Sequence, residues 1–146
     1  VAFMINFGYM ISTQDFATYL EGFQGQIWGN GGREDIIDVK QIIPQLNARP
    51  GFNMGLVYVG NGVVGLGGGW TLGVSQSTYL NHYDYPNTAT TFFHEIGHCL
   101  GYSHSSGMSY GPWAEQIANR YYVNNLSSFP VNSWMILNSR NSPNKY

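Results

Sequence analysis

Three histidines and a glutamate packed between positions 94 and 104 are the residues of this chain most able to do chemistry. The stretch runs His94-Glu95-Ile96-Gly97-His98-Cys99-Leu100-Gly101-Tyr102-Ser103-His104. On a helix, His94 and His98 stand at i and i+4 and leave the same face one turn apart. Two imidazole nitrogens so placed can reach one metal ion at about 2.0–2.1 Å. Glu95, beside the first histidine, can take a proton from a metal-held water without ligating the ion itself. Gly101 permits the left-handed backbone that ends a helix, so that His104 can return as a third ligand. Three protein ligands leave a fourth position open, the pattern of a catalytic rather than a structural zinc. The plainer alternative, a buried helix with incidental histidines, is outweighed by the number of spaced positions that coincide.

The string HEIGHCLGYSH matches HExxHxxGxxH and resembles the signature of the metzincin zinc endopeptidases. The resemblance implies one catalytic Zn2+ on His94, His98 and His104, with Glu95 as general base. It also implies a methionine in a tight turn beneath the zinc histidines, for which Met108 is the candidate, with Gly107 suited to the turn. The string MSYG resembles the turn of the serralysin and astacin branches, which makes Tyr110 a second catalytic candidate, donating a hydrogen bond to the oxyanion. Here Ser105, Ser106 and Gly107 alone separate His104 from Met108, a shorter link than in those branches. The close resemblance covers only 94–111.

The implied fold class is α+β: a twisted mixed sheet of about four to five strands, an active-site helix, a backing helix and a small C-terminal helical subdomain. One catalytic domain would fill 1–146, with an upper sheet subdomain to about 101 and a lower one from about 102. In the metzincin layout an edge strand before the zinc helix pairs with an extended peptide or protein substrate. Gly67, Gly68, Gly69 and Trp70 fall there, and glycines admit a peptide backbone closely. By the same analogy Gly111, Pro112 and Trp113 would wall the pocket for the residue after the cleaved bond. The expected activity is zinc-dependent peptide-bond hydrolysis. A catalytically inactive zinc-containing adhesion module and a zinc amidohydrolase acting on a non-protein amide stay open beside it. Glu115 is a rival third ligand, as in gluzincins, but that scheme has no use for Gly101 or Met108.

Several segments must position these residues. Val1–Phe7 is a short apolar run compatible with a buried strand. Ser12 and Asp15 suggest a helix start, and Phe16, Tyr19, Leu20, Phe23 and Ile27 continue a helical stripe until Gly29-Asn30-Gly31-Gly32 stops it. The β-branched run 35–43 is expected as a strand closed by Pro44. Residues 53–59 form a strand, Asn61-Gly62 a turn, 63–74 a glycine-rich edge strand and 75–80 the last strand. His82 and Asp84 could bind a second metal, but no third ligand lies nearby and a solvated loop is the expectation. Pro86-Asn87-Thr88 starts the zinc helix, with Phe92, Phe93, Ile96 and Leu100 facing a core. Pro112 opens a further helix whose apolar stripe is Ala114, Ile117, Ala118, Tyr121 and Tyr122.

Composition narrows the setting. Of 146 residues 43% are hydrophobic, enough for a buried core, while only 10% are charged. A net charge of −2 without a Lys/Arg cluster argues against nucleic acid or anionic lipid as partner. No apolar run approaches the ~18–20 residues of a membrane span. Polarity carried by Asn, Ser, Thr, Gly and Tyr suits a secreted, periplasmic or cell-surface protein, here expected to be bacterial and monomeric. The opening Val1 is expected of a mature or excised segment. Cys99, the single cysteine, excludes an internal disulfide and is expected to be a small packed side chain, with a redox or inhibitory thiol as the alternative.

Overall fold

The chain was analysed as a computed structural model that describes residues 2–49, 51, 53–57, 65–69, 71–75 and 85–131. Its first element is a helix, α1 (Ala2–Ser12), and not the strand expected of the apolar opening run. Phe7, Met10 and Ile11 are buried and Phe3 is partly buried, a spacing of four, three and one that only a helix puts on one side. A seven-residue apolar run cannot separate the two periods; the continuation to Ile11 does. Asn6 is buried with them because its amide donates to the Val131 carbonyl at 3.0 Å and accepts the Val131 N–H at 2.9 Å.

Helix α2 (Gln14–Glu21) is capped by Thr13, whose hydroxyl accepts the Phe16 N–H, one residue later than the expected start. It ends at Gly22, well short of the 29–32 turn, so Phe23 and Ile27 pack from extended chain instead. The 35–43 run is not a strand beyond a single bridge between Trp28 and Ile36. A short 3-10 turn, Val39–Gln41, begins on Asp38, and α3 (Ile42–Asn47) follows. Pro44 lies within the first turn of α3, where no intrahelical N–H is needed.

The sheet has three strands among the described residues, fewer than the four to five expected. Strands β1 (Asn53–Val57) and β3 (Thr71–Ser75) pair in parallel, and β2 (Gly65–Gly68) pairs antiparallel with β3, giving the order β1-β3-β2. The glycine-rich segment 63–74 is therefore two strands, turned at Gly69, whose φ of +55° suits glycine. Ser75 closes β3 rather than opening another strand. The expectations for 58–64 and 76–84, including Asn61-Gly62, His82 and Asp84, fall outside the described residues.

Helix α4 (Tyr85–Cys99) packs against β2, β3 and the helix that follows. That helix is wound in π fashion over Pro112–Asn119 (α5) and continues as α6 (Arg120–Asn124). Its buried stripe of Ala114, Ile117, Ala118 and Tyr122 meets the Phe92–Phe93 side of α4. Aromatic contacts knit this core: Phe3 stacks on Phe92 at 4.2 Å, and Phe93 meets Trp113 edge-on at 6.0 Å. The result is a mixed α+β architecture with α4 sandwiched between sheet and helix. Among the described residues no helix is long and apolar enough to cross a membrane.

Candidate metal centre

Burying α4 on both flanks leaves its C-terminal turn to carry the polar residues. His94 is 9% exposed and His98 half-buried, and their rings lie 4.7 Å apart. The helix ends in two reverse bonds, Gly101 N–H to His98 O at 2.9 Å and Tyr102 N–H to Gly97 O at 3.0 Å. This pair is the Schellman termination, and it requires the left-handed backbone that Gly101 adopts at φ +94°. The turn also brings the Tyr102 carbonyl to 2.6 Å from His98 Nδ1. His94 Nδ1 sits 2.9 Å from the Ser109 carbonyl in the same manner.

These two contacts decide the tautomers. A carbonyl oxygen can only accept, so Nδ1 carries the proton in both rings. With Nδ1 so committed, Nε2 is the nitrogen of each ring left to meet a cation, and the two Nε2 atoms stand 3.1 Å apart. At that distance they share either a proton or a metal ion between them. Two nitrogens on one tetrahedral zinc at about 2.0–2.1 Å are separated by roughly 3.3 Å, so the pair fits such an ion. His104 completes a group of three whose ligand atoms all lie within 4.8 Å of one another. Its ring is 4.6 Å from that of His98 and 5.2 Å from that of His94. Glu115, the rival ligand, is exposed on α5 and is not part of the group.

Burial lowers the His94 pKa, and the nearby His98 and His104 push the same way, against the opposing Ser109 bond. Glu95 is only 3% exposed, and burial raises its pKa from 4.5 to about 7. It is enclosed by β2: a Cβ at Gly65 would fall 2.5 Å from Glu95 Oε1, and one at Gly67 would strike the Glu95 carbonyl. The missing Cβ at Gly67 thus admits the protein's own helix. Gly68 and Gly69 have nothing within 4 Å and remain accessible; Trp70 lies outside the described residues.

Met108 is fully buried, its backbone against Gly97 of α4, and Tyr110 is 62% exposed with its ring 4.6 Å from His94 and 5.5 Å from His104. Pro112 and Trp113 belong to the interior. Both are buried, Trp113 completely, with its indole N–H bonded to the Phe93 carbonyl at 3.3 Å. An indole at 113 is worth more to the α4–α5 core than to a surface groove. Cys99 is buried too, its thiol donating to Thr71 O at 3.2 Å and its pKa raised chiefly by burial, which leaves no reactive thiolate.

Four residues join the site that pattern reading passed over. A Cβ at Gly97 would lie 2.8 Å from the Met108 carbonyl, so that glycine lets the methionine turn dock on α4. A glycine in mid-helix costs about 1 kcal/mol and was the signal available. Ser109 orients His94 through its carbonyl and is itself held by a 2.8 Å bond from its hydroxyl to Ser103 O. Trp28 and Asn30 reach the His104 loop from a distant turn. No family model, curated protein or solved structure matches this chain.

Proposed function

We propose that the chain is a zinc-dependent endopeptidase of metzincin type, with the ion held by His94, His98 and His104. The observation that carries the proposal is the pair of Nε2 atoms 3.1 Å apart, each ring held by a carbonyl at its Nδ1. Zinc, when bound, acidifies a water and polarises a carbonyl oxygen. Glu95 accepts the proton released as the water attacks and passes it to the leaving amine. A carboxylate enclosed by Gly65 and the α4 backbone is kept from bulk water, which favours proton transfer with substrate over exchange with solvent. Tyr110 is exposed beside two of the histidines and is suited to donate its phenolic hydrogen to the developing oxyanion. An extended peptide along the β2 edge, where Gly68 is open and Leu66 exposed, is the substrate geometry this arrangement favours.

The test is cleavage of casein and of a peptide library by zinc-loaded wild type, by wild type with a chelator, and by Glu95→Gln. The chelator should abolish cleavage. The substitution should lower turnover by about 10²- to 10⁴-fold while leaving one zinc bound. Equal inertness of both proteins, each holding its zinc, would make the chain a metal-containing binding module instead.

A further inference from the structure

His104 is the exposed member of the metal group and lies in a loop without regular structure. Between Gly101, which ends α4, and Met108, which docks on it, the chain has no element of its own to fix an imidazole. Turn bonds within the loop converge on Ser103 O, from the Ser106 N–H and the Ser106 and Ser109 hydroxyls, and the loop as a whole is anchored by residues more than 70 positions earlier. The Asn30 amide donates to Gly101 O at 3.0 Å, and its oxygen accepts the Ser103 N–H at 2.7 Å. The Ser105 hydroxyl donates to Asn30 O at 3.4 Å, and the Trp28 indole N–H donates to Ser105 O at 3.1 Å. Gly107 N–H closes the set on Trp28 O at 2.8 Å, with its Cα against the indole face, where a Cβ would come to 2.9 Å.

We infer that Asn30 is a positioning residue for the metal centre, supported by Trp28, and that the pair acts by presenting His104 to the ion. The two residues flanking His104 are each bonded to this turn, Ser103 through its N–H and Ser105 through its carbonyl. A ligand gripped on both sides loses little freedom when it binds, whereas an untethered one must be ordered at the moment of binding. The Asn30 amide is used at both ends, as donor and as acceptor, and no other side chain of similar size offers that pair of groups at one reach. The turn itself is stiffened so that it can serve as a fixed point. Gly29 N–H bonds to Asp35 O at 2.7 Å, Gly31 N–H bonds to the Asp35 carboxylate at 2.9 Å, and Gly32 takes a φ of +87°.

The inference rests on the three-histidine reading, and a double-mutant cycle separates the two. Zinc affinity is measured by competition with a chromophoric chelator for wild type, Asn30→Ala, His104→Ala and the double variant. Cobalt absorption spectra of the same four proteins report how many protein ligands remain. Asn30→Ala should weaken zinc by about 10- to 100-fold and move the cobalt spectrum toward that of His104→Ala. In the His104→Ala background it should cost nothing further, because its partner is gone. Asn30→Asp, which keeps the acceptor for Ser103, should recover part of the loss, and Trp28→Phe should reproduce the cycle at smaller size if Asn30→Ala fails to fold. Full affinity in Asn30→Ala, or the same cost with and without His104, overturns the inference alone. Wild-type affinity in His104→Ala overturns the three-histidine reading itself.

Discussion

The two histidines on α4 and the one beyond it are held by opposite means. His94 and His98 inherit their placement from a buried helix, His98 being held by the Tyr102 carbonyl in the turn that ends it and His94 by the Ser109 carbonyl fifteen residues on. His104 is exposed, and the loop that carries it is tied to the Trp28–Asn30 turn. One half of the site sits on a buried helix, the other on an exposed and tethered loop. A rigid pair with a tethered third ligand can bind its ion firmly and still let one side of the coordination shell adjust during a reaction.

That contrast predicts unequal costs. A structural zinc site gains about 10–16 kcal/mol from four ligands, or roughly 3 kcal/mol each, so losing a histidine should cost more than about 100-fold in affinity. His98→Ala should exceed that figure, since it removes a preorganised ligand and leaves His94 Nε2 without its counterpart. His104→Ala should cost less, because the ordering it no longer requires offsets part of the lost bond. Chelator competition measures both, and a larger loss at His104 would reverse the assignment of rigid and tethered halves.

A smaller effect distinguishes the buried half in the metal-free chain. Glu95 titrates near 4.5 when unfolded and about 7 when folded, so between those values the folded form holds the extra proton. Its contribution is therefore favourable below pH 4.5 and is lost as pH rises toward 7, by about 3 kcal/mol at most. His94, with its pKa lowered by burial, acts in the other direction, losing stability as pH falls below the ordinary 6.5. Glu95→Gln removes the first effect and keeps the second. Thermal melts with chelator from pH 4.5 to 8 should show the variant gaining on wild type as pH rises. Parallel curves would mean that the carboxylate is solvated after all.

The helical spacing of the site is legible in the sequence, and the tertiary contacts that orient it, Ser109 O on His94 among them, are not. Spacing of four places His94 and His98 on one face, and Gly101 announces the turn that supplies the Tyr102 carbonyl. Gly29-Asn30-Gly31-Gly32 carries an equally plain turn signal, yet nothing in its residue types says which loop it will hold. The same limit explains the sheet. Glycines at 65 and 67 announce a close approach, and only the packing of α4 shows that Glu95, not a ligand, makes it. An indole beside a site suits a pocket wall and a core equally well, and only packing shows Trp113 buried against α4. The run Val1–Phe7 is too short for its period to separate strand from helix, and the continuation to Ile11 settles it as α1.

The most direct measurement is the protonation state of the imidazoles by long-range ¹H–¹⁵N NMR, taken on the metal-free protein at neutral pH and again after one equivalent of zinc. Protons are expected on Nδ1 of His94 and His98 in both states, and the zinc-loaded Nε2 atoms should carry no proton and shift together as the ion is added. Protons retained on Nε2 after zinc is added, or Nε2 resonances unmoved by zinc, would contradict the account at its centre.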